Sequence, residues 1–204
     1  MNNFLNVILR LVLYALLFLV DYFLIYLDIQ NGKVKEYSTI EFSQELLLFL
    51  MVGLMLLNSC VWCKFRSLSI ITSLVFAIHV TRELDHYLDL LFDGLWQIIV
   101  LVFLSIAIYI FVKNRKLIIS QIGYLKNDLS IGILLVGFTL LHVFSRLWGK
   151  SENWESLLKE NYIRVVKDMA EEGVELLAYT VLFIGTFELL ITLKRLRKKD
   201  HAQR

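Results

Sequence analysis

Ten ionisable side chains that could bind an ion or carry a proton recur, mostly three or four residues apart, in three segments of the chain. They are His79, Arg82, Glu83, His86 and Asp89 in the first segment, His142 and Arg146 in the second, and Glu171, Glu172 and Glu175 in the third. Residues three and four positions apart lie on one face of a helix. The spacing therefore predicts that each segment presents its charged side chains together, and we call the ten residues the outer cluster.

Two interpretations of the outer cluster need no cofactor. In the structural one, Arg82 and Arg146 pair with nearby glutamates, because buried charges persist only when they are paired and hydrogen-bonded. The candidate partners are Glu83, Glu172 and Glu175. In the second, carboxylates and histidines change protonation during the transport of an ion or a proton. The sequence has no proline, which weakens the transporter form of this interpretation, since many transporters build their sites from broken helices.

Two further interpretations bring in a cofactor, whose identity the sequence leaves open. One is a metal site, because histidine and carboxylate side chains together suit zinc or a similar ion. Its candidate ligands are His79, Glu83, His86, His142 and Glu175. A bound ion could activate water for hydrolysis, although the sequence contains no HExxH motif. The other is a b-type haem held between His79 and His142, since histidine is a common axial ligand of haem.

The composition of the chain places these residues in a membrane protein. Hydrophobic residues make up 58% of the 204 residues and the mean hydropathy is +0.66, whereas a soluble domain is about half apolar. A helix needs about 20 mostly apolar residues to cross a bilayer. Six stretches approach that length: residues 4–28, 40–62, 67–86, 95–112, 128–147 and 174–193. We predict an all-α, polytopic membrane helical bundle with about six transmembrane helices, forming a single domain over residues 1–204.

The third of these stretches is the weakest candidate for a span. Its apolar part, residues 67–80, is too short to cross a bilayer alone. If it does cross, Arg82, Glu83 and His86 belong to the same helix and lie near the membrane boundary.

The distribution of lysine and arginine predicts the orientation of the bundle. Basic residues concentrate in alternate loops and in the tail, which face the cytoplasm under the positive-inside rule. They are Lys64, Arg66, Lys113, Arg115, Lys116 and Lys126 in the loops and Lys194, Arg195, Arg197, Lys198, Lys199 and Arg204 in the tail. Both termini are therefore expected on the cytoplasmic side of the cell (inner) membrane, with the outer cluster near the opposite face.

The long outer loop before the last span has a helical pattern of its own. Apolar residues recur at helical spacing from Trp154 to Met169, with charged residues between them. This pattern predicts an amphipathic helix that lies on the outer membrane surface and continues into the last span. Packing of the same helix over the bundle is the alternative.

The two cysteines, Cys60 and Cys63, have the CxxC spacing of redox pairs and of some metal sites. The predicted orientation places them on the cytoplasmic side, where thiols stay reduced, and the sequence has no second pair. We interpret them as ordinary cysteines at a helix end.

Several function classes have no support in the sequence, which contains no glycine-rich phosphate loop, Ser-His-Asp pattern or nucleic-acid-binding module. The expected partners are the lipid bilayer and either a second copy of the chain or a membrane partner protein, with no nucleic acid. The leading hypothesis is an ion- or proton-handling channel, a transporter, or a sensor or assembly component. The alternative is an intramembrane metal-dependent enzyme, a hydrolase, or a b-type haem protein.

Overall fold

The described part of the chain is almost entirely helical. A computed structural model describes residues 2–32, 38–61 and 65–202, and these ranges contain no β-strand. The all-α prediction is therefore confirmed for them. The helices are α1 (Asn2–Asn31), α2 (Thr39–Val61), α3 (Arg66–Glu83), α4 (Asp85–Asp89), α5 (Leu95–Leu125), α6 (Leu129–Thr139), α7 (Ser145–Trp148), α8 (Ser151–Leu158) and α9 (Arg164–Ala202), with a π-helical turn at Leu140–Phe144 and a 3-10 turn at Lys159–Asn161.

Five helical segments in these ranges are long and apolar enough to cross a membrane. They are Phe4–Asn31 in α1, Thr39–Val61 in α2, Leu95–Leu125 in α5, Leu129–Trp148 from α6 through α7, and Arg164–Lys198 in α9. The third predicted span is not among them, because α3 carries Arg66, Arg82 and Glu83 within its 18 residues. Membrane embedding and the count of six spans stay predictions.

Four residues used in the sequence predictions lie outside the described residues: Trp62, Cys63, Lys64 and Arg204. Cys60 lies within them and is exposed near the C-terminal end of α2. The interpretation of the CxxC pair as two ordinary cysteines stays a prediction.

The candidate spans differ in how much of their apolar surface is covered. In the most apolar window of α9, 61% of the residues are buried, against 6% in α1 and 0% in α5. Apolar surface left this exposed is typical of helices that face lipid or a protein partner. α9 is thus the most enclosed of the five.

α5 continues to Leu125, past the predicted end of the fourth span at residue 112, because it is kinked rather than ended at Asn114. Asn114 has φ −113° and ψ 18°, outside the helical range, and its Nδ2 donates a hydrogen bond to the backbone carbonyl four residues earlier at 3.1 Å. Asparagine side chains compete with the backbone for such bonds. The basic residues Lys113, Arg115 and Lys116, predicted in a loop, therefore lie on a helix around the kink.

The amphipathic segment predicted in the outer loop forms two helices instead of one. α8 ends one residue before Lys159, which has a positive φ of 51°, and α9 begins only at Arg164. Asn161, in the intervening 3-10 turn, disfavours a continuous helix because its amide competes for backbone hydrogen bonds. Within α8, Trp154 Nε1 donates a hydrogen bond to the carbonyl of Trp148 at 2.7 Å. A location on the membrane surface stays a prediction.

The helices form two compact units. Unit 1 comprises Met1–Gln44 and Ile133–Ile184, and unit 2 comprises Glu45–Gly132 and Gly185–Arg204. The assignment of residues 1–204 to a single domain stays a prediction, and the two units are described separately.

Within unit 1, a glycine and a buried carboxylate fix the contacts between helices. A Cβ atom on Gly137 of α6 would lie 2.7 Å from Cγ of Leu182 on α9, so this close approach needs glycine. Asp28, buried near the end of α1, accepts hydrogen bonds from the backbone N–H groups of Thr39 at 3.0 Å and Ile40 at 2.8 Å. Asp28 therefore caps the first turn of α2.

Within unit 2, α3 packs against α5, and polar side chains join α2 to α3. Ser73 Oγ donates a hydrogen bond to the carbonyl of Val52 at 3.1 Å, and Asn58 Nδ2 donates one to Ser69 Oγ at 2.7 Å. Hydrogen bonds between helices are a common device where lipid supplies no hydrophobic force for association.

Asp128 joins the start of α6 to the end of α9 within unit 2. Its Oδ1 accepts a hydrogen bond from the backbone N–H of Ser130 at 3.0 Å, and its Oδ2 accepts one from the hydroxyl of Thr192 at 3.0 Å. The first of these bonds makes Asp128 the N-cap of α6.

Candidate functional site

Acidic and basic residues alternate along the first turns of α9, in unit 1. Arg164 Nε lies 3.5 Å from Asp168 Oδ2. Lys167 Nζ lies 2.6 Å from Glu171 Oε2 and 3.2 Å from Asp168 Oδ1. Because residues four apart are neighbours on a helix surface, these contacts form a row of ion pairs that leads along α9 toward Glu175.

Arg146 of α7 joins this row from outside α9. Its Nη1 atom lies 3.4 Å from Glu171 Oε1, and its Nη2 atom lies 3.3 Å from Glu175 Oε1. The Glu175 carboxylate is buried, whereas half of the Arg146 side chain is exposed. Since a buried carboxylate persists only when it is paired, Arg146 supplies the counter-charge to Glu175. The structure thus brings three residues of the outer cluster together.

Gly149, directly after α7, leaves room for the arrangement. A Cβ atom at this position would lie 2.6 and 2.7 Å from the two carboxylate oxygens of Glu171. A larger residue would displace that carboxylate from both Arg146 and Lys167, so the glycine is part of the geometry of the ion pairs.

Glu172 faces a different partner from its neighbours on α9. The side-chain amide of Gln44 donates hydrogen bonds to the backbone carbonyl and to Oε2 of Glu172, both at 3.3 Å. Gln44 is fully buried, and its Oε1 accepts no hydrogen bond from any described residue. The structural interpretation predicted an arginine as the partner of Glu172, whereas the observed donor is the amide of Gln44.

Asp21 is a second buried carboxylate of unit 1, in the C-terminal half of α1. It is 7% exposed, and Thr180 of α9 donates a hydrogen bond from its hydroxyl to Asp21 Oδ1 at 3.0 Å. No described residue donates a hydrogen bond to Asp21 Oδ2. A carboxylate buried inside an apolar helix with a single neutral donor is a costly arrangement.

His142 lies in the π-helical turn and is exposed. Its ring stacks on that of Phe138, with centroids 6.0 Å apart and planes 4° from parallel. Single π-turns inside α-helices are frequent at functional sites. Arg146 follows this turn by two residues and contacts the ion pairs of α9.

In unit 2, the residues of the outer cluster on α3 make contacts within their own helix. His79 is 8% exposed, and its Nδ1 donates a hydrogen bond to the carbonyl of Val75 at 2.8 Å. Arg82 Nη2 lies 3.0 Å from Oε1 of the adjacent Glu83. The predicted pairing of Arg82 with Glu83 is therefore observed.

The remaining two members of the cluster lie on α4. His86 is exposed, and its ring meets that of Tyr87 edge-on at 5.8 Å. Asp89 Oδ1 accepts a hydrogen bond from the backbone N–H of Gly94 at 2.9 Å. Gly94 has a positive φ of 80°, and Asp89 closes the turn that leads from α4 into α5.

The outer cluster is thus divided between the two units. Unit 1 holds His142, Arg146, Glu171, Glu172 and Glu175, and unit 2 holds His79, Arg82, Glu83, His86 and Asp89. In the described ranges, no three histidine, cysteine or acidic side chains are grouped so that they could hold a metal ion. The predicted metal ligands and the predicted haem ligands are drawn from both units, and those assignments stay predictions.

Several residues of this site were not predicted from the sequence. Lys167 and Asp168 extend the ion pairs, and their spacing of four from Glu171 and Arg164 is a signal that the sequence contained. Gln44 lies 128 residues from Glu172, so no local pattern could relate the two.

Comparison with models of protein families, with curated proteins and with solved structures finds no match for this chain.

Proposed function

We propose that this chain is a multi-pass protein of the inner membrane, with cytoplasmic termini, that handles protons or ions through the carboxylates of unit 1. Five apolar helical segments of spanning length support the membrane part of the proposal. The exposed apolar surfaces of α1 and α5 support it too, since they need lipid or a partner to cover them. α3 is then the sixth crossing, because termini on one side of the membrane require an even number of spans.

The proton-handling part rests on the surroundings of Asp21. Its carboxyl group is buried within a candidate span and receives one hydrogen bond, from Thr180. An ionised carboxylate in such a place is expensive, and ionisable groups inside membrane helices mark ion pathways and proton relays. A carboxyl group that lacks a charged partner can bind a proton and release it when its surroundings change. Asp21 is therefore the residue on which the proposal depends most.

Arg146 and Glu175 supply a second titratable element in the same unit. When Glu175 is ionised, it holds Nη2 of Arg146, while Nη1 of the same guanidinium faces Glu171. Protonation of Glu175 removes one of these two attractions and leaves the guanidinium with Glu171. The ion pair thus has two arrangements that differ by one proton, which is what a proton-linked step needs.

Proton flux into liposomes tests the proposal directly. The full chain is reconstituted into phosphatidylcholine vesicles that contain a pH-sensitive dye, and a potassium diffusion potential is imposed with valinomycin. We expect flux above that of protein-free vesicles, loss of that flux in Asp21→Asn, and slower flux in Glu175→Gln. Asp93→Asn changes an exposed carboxylate of unit 2 and serves as the matched control with unchanged flux.

Two outcomes would count against proton handling. The first is parent protein that inserts into the vesicles and carries no proton, sodium or potassium flux. The second is flux in Asp21→Asn equal to that of the parent, with the same helical content and insertion.

A sensing or assembly component is the second candidate, because the ion pairs of unit 1 form a closed row. Asp168, Glu171 and Glu175 each face at least one cation. Protonation would then change the row without moving charge across the membrane. Trp148 and Trp154 lie in the same unit, with ring centroids 5.3 Å apart. A pH-dependent change in tryptophan fluorescence that Glu175→Gln abolishes, without any flux, would favour this candidate.

A further inference from the structure

Two helical faces in unit 2 flank a groove of about 280 Å³. The lining residues follow the same spacing of three, four and seven on each helix, so each set belongs to one face. They are Leu54, Leu57, Asn58 and Val61 on α2, and Leu190, Leu193, Lys194 and Arg197 on α9. We call this the α2–α9 groove.

The α2–α9 groove has an aliphatic part and a basic part. Four of the eight lining residues are leucines and a fifth is Val61, and the Leu57 and Val61 side chains are 65% and 57% exposed. Lys194 and Arg197 follow the leucines of α9 and stand three residues apart, at the end of its lining face. The occupant that complements both parts is an amphipathic molecule with an apolar chain and an anionic head.

Lys194 and Arg197 carry the positive charge of the groove. Neither residue takes part in an ion pair with the side chains that the structure describes, which end at residue 198. Arg195, between them in sequence, differs, because its charge acts on the carboxylate of Asp128. The two groove cations are therefore available for an anion that comes from outside the chain.

We propose that the α2–α9 groove binds one anionic glycerophospholipid, with an acyl chain along the leucines and the phosphate between Lys194 and Arg197. Long basic side chains reach from apolar surroundings to the membrane interface, and basic residues beside a membrane span attract anionic lipid. Lys194 and Arg197 also belong to the basic tail that the sequence predicts on the cytoplasmic side. The proposal rests on membrane embedding and is independent of proton handling by unit 1.

Native mass spectrometry of the full chain in detergent micelles tests the groove. Dioleoyl phosphatidylglycerol and dioleoyl phosphatidylcholine, which share their acyl chains, are added at equal concentration. We expect one phosphatidylglycerol to be retained in preference to phosphatidylcholine. The double variant Lys194→Gln with Arg197→Gln should weaken phosphatidylglycerol binding by about 25-fold, or about fivefold for each charge, and leave phosphatidylcholine binding unchanged.

Two further variants distinguish binding of the lipid headgroup from binding of the acyl chain. Lys198→Gln removes a neighbouring exposed charge that does not line the groove, and phosphatidylglycerol binding should stay as in the parent. Leu57→Trp fills the aliphatic part and should weaken the binding of both lipids. The helical content of every variant is compared by circular dichroism. If the double variant loses helical content, phosphatidylglycerol binding by the two single variants, Lys194→Gln and Arg197→Gln, tests the proposal instead.

Three results would overturn the proposal. They are equal retention of the two lipids by the parent, unchanged phosphatidylglycerol binding in the double variant, and displacement of the lipid by inorganic phosphate with no effect of Leu57→Trp. The last would indicate a phosphate site instead. Any of these three results, obtained while proton flux is intact, would contradict the lipid proposal alone. Failure of the chain to insert into vesicles would contradict both proposals.

Discussion

The Nη2 atom of Arg146 lies 3.3 Å from Oε1 of Glu175, and the two side chains differ sharply in exposure: half of the arginine is accessible, whereas the glutamate is buried. The pair therefore links the surface of unit 1 to its interior. Most of the free-energy cost of burying this pair comes from the glutamate, because that cost rises with the amount of water a charged group loses.

Arg146→Ala should lower the stability of the protein by about 1–3 kcal/mol, because it leaves the buried carboxylate of Glu175 without this counter-charge. Thermal unfolding in detergent, followed by circular dichroism, measures the change. Arg164→Ala is the matched control, since Arg164 is 75% exposed in its pair with Asp168 and should contribute below about 1 kcal/mol. Equal losses of stability in the two variants would show that burial does not determine how much each ion pair contributes to stability.

Gly137→Ala should destabilise unit 1 by about 1–3 kcal/mol, because the new methyl group overpacks the contact between α6 and α9. The Cβ atom would meet Cγ of Leu182 at 2.7 Å and the backbone nitrogen of the same residue at 3.1 Å, and the backbone cannot simply move aside. Gly132→Ala on the same helix has open space around it and should stabilise the helix by up to about 1 kcal/mol. Thermal midpoints of the two variants provide the comparison, and a stable Gly137→Ala protein would contradict the close approach.

Asp28→Asn should cost about 1–3 kcal/mol, because an amide nitrogen would replace one of the two oxygens that accept backbone hydrogen bonds at the start of α2. Asp28 is fully buried, and its oxygens face the N–H groups of Thr39 and Ile40. Chemical denaturation in detergent gives the free energy of unfolding. The exposed Asp93, changed in the same way, should alter it by less than about 0.5 kcal/mol.

The stability that Asp128 contributes should disappear in acid. Burial by itself raises the pKa of the Asp128 carboxyl, but hydrogen bonds from Ser130 and Thr192, with the charge of Arg195, hold the pKa below its ordinary value of 3.8. A carboxyl whose pKa is lowered by folding stabilises the folded state fully above its unfolded pKa, and that contribution is lost as the pH falls through the folded value.

The measurement for Asp128 is the thermal midpoint as a function of pH, for the parent and for Asp128→Asn. The variant should unfold at a lower temperature than the parent near about pH 6, and the two midpoints should converge as the pH falls below about 4. A gap that stays constant from neutral to acid pH would show that the carboxylate charge is not what stabilises the start of α6.

Apolar run length predicts the long helices well, because crossing a bilayer demands about 20 apolar residues in a row. The predicted spans at residues 4–28 and 95–112 lie inside α1 and α5. Interruptions are harder to predict, since the propensity of a single residue is a weak prior that tertiary contacts override. Asn114 kinks α5 without ending it. At Lys159, by contrast, the helix is interrupted although the amphipathic pattern continues through this residue.

Only part of the ion-pair arrangement in unit 1 could be predicted from the sequence. The spacing of Glu171 and Glu175 predicts that they share one face of α9, and the structure places Arg146 against both. The burial of Asp21 against Thr180 links residues 159 positions apart. Such a contact depends on how α1 packs on α9 within unit 1, which no periodic pattern in either segment expresses.

The π-helical turn at Leu140–Phe144 changes the angular phase of the helix that contains it. Gly137 and Arg146 are nine residues apart, and nine residues of α-helix rotate through about 900°, which points them in opposite directions. Both nevertheless contact α9, the glycine at Leu182 and the arginine at Glu171 and Glu175. A π-turn accommodates one additional residue, which reduces the angle between the two positions to about 80°. One helix can therefore press its backbone against α9 and, two turns later, extend a guanidinium to the same neighbour.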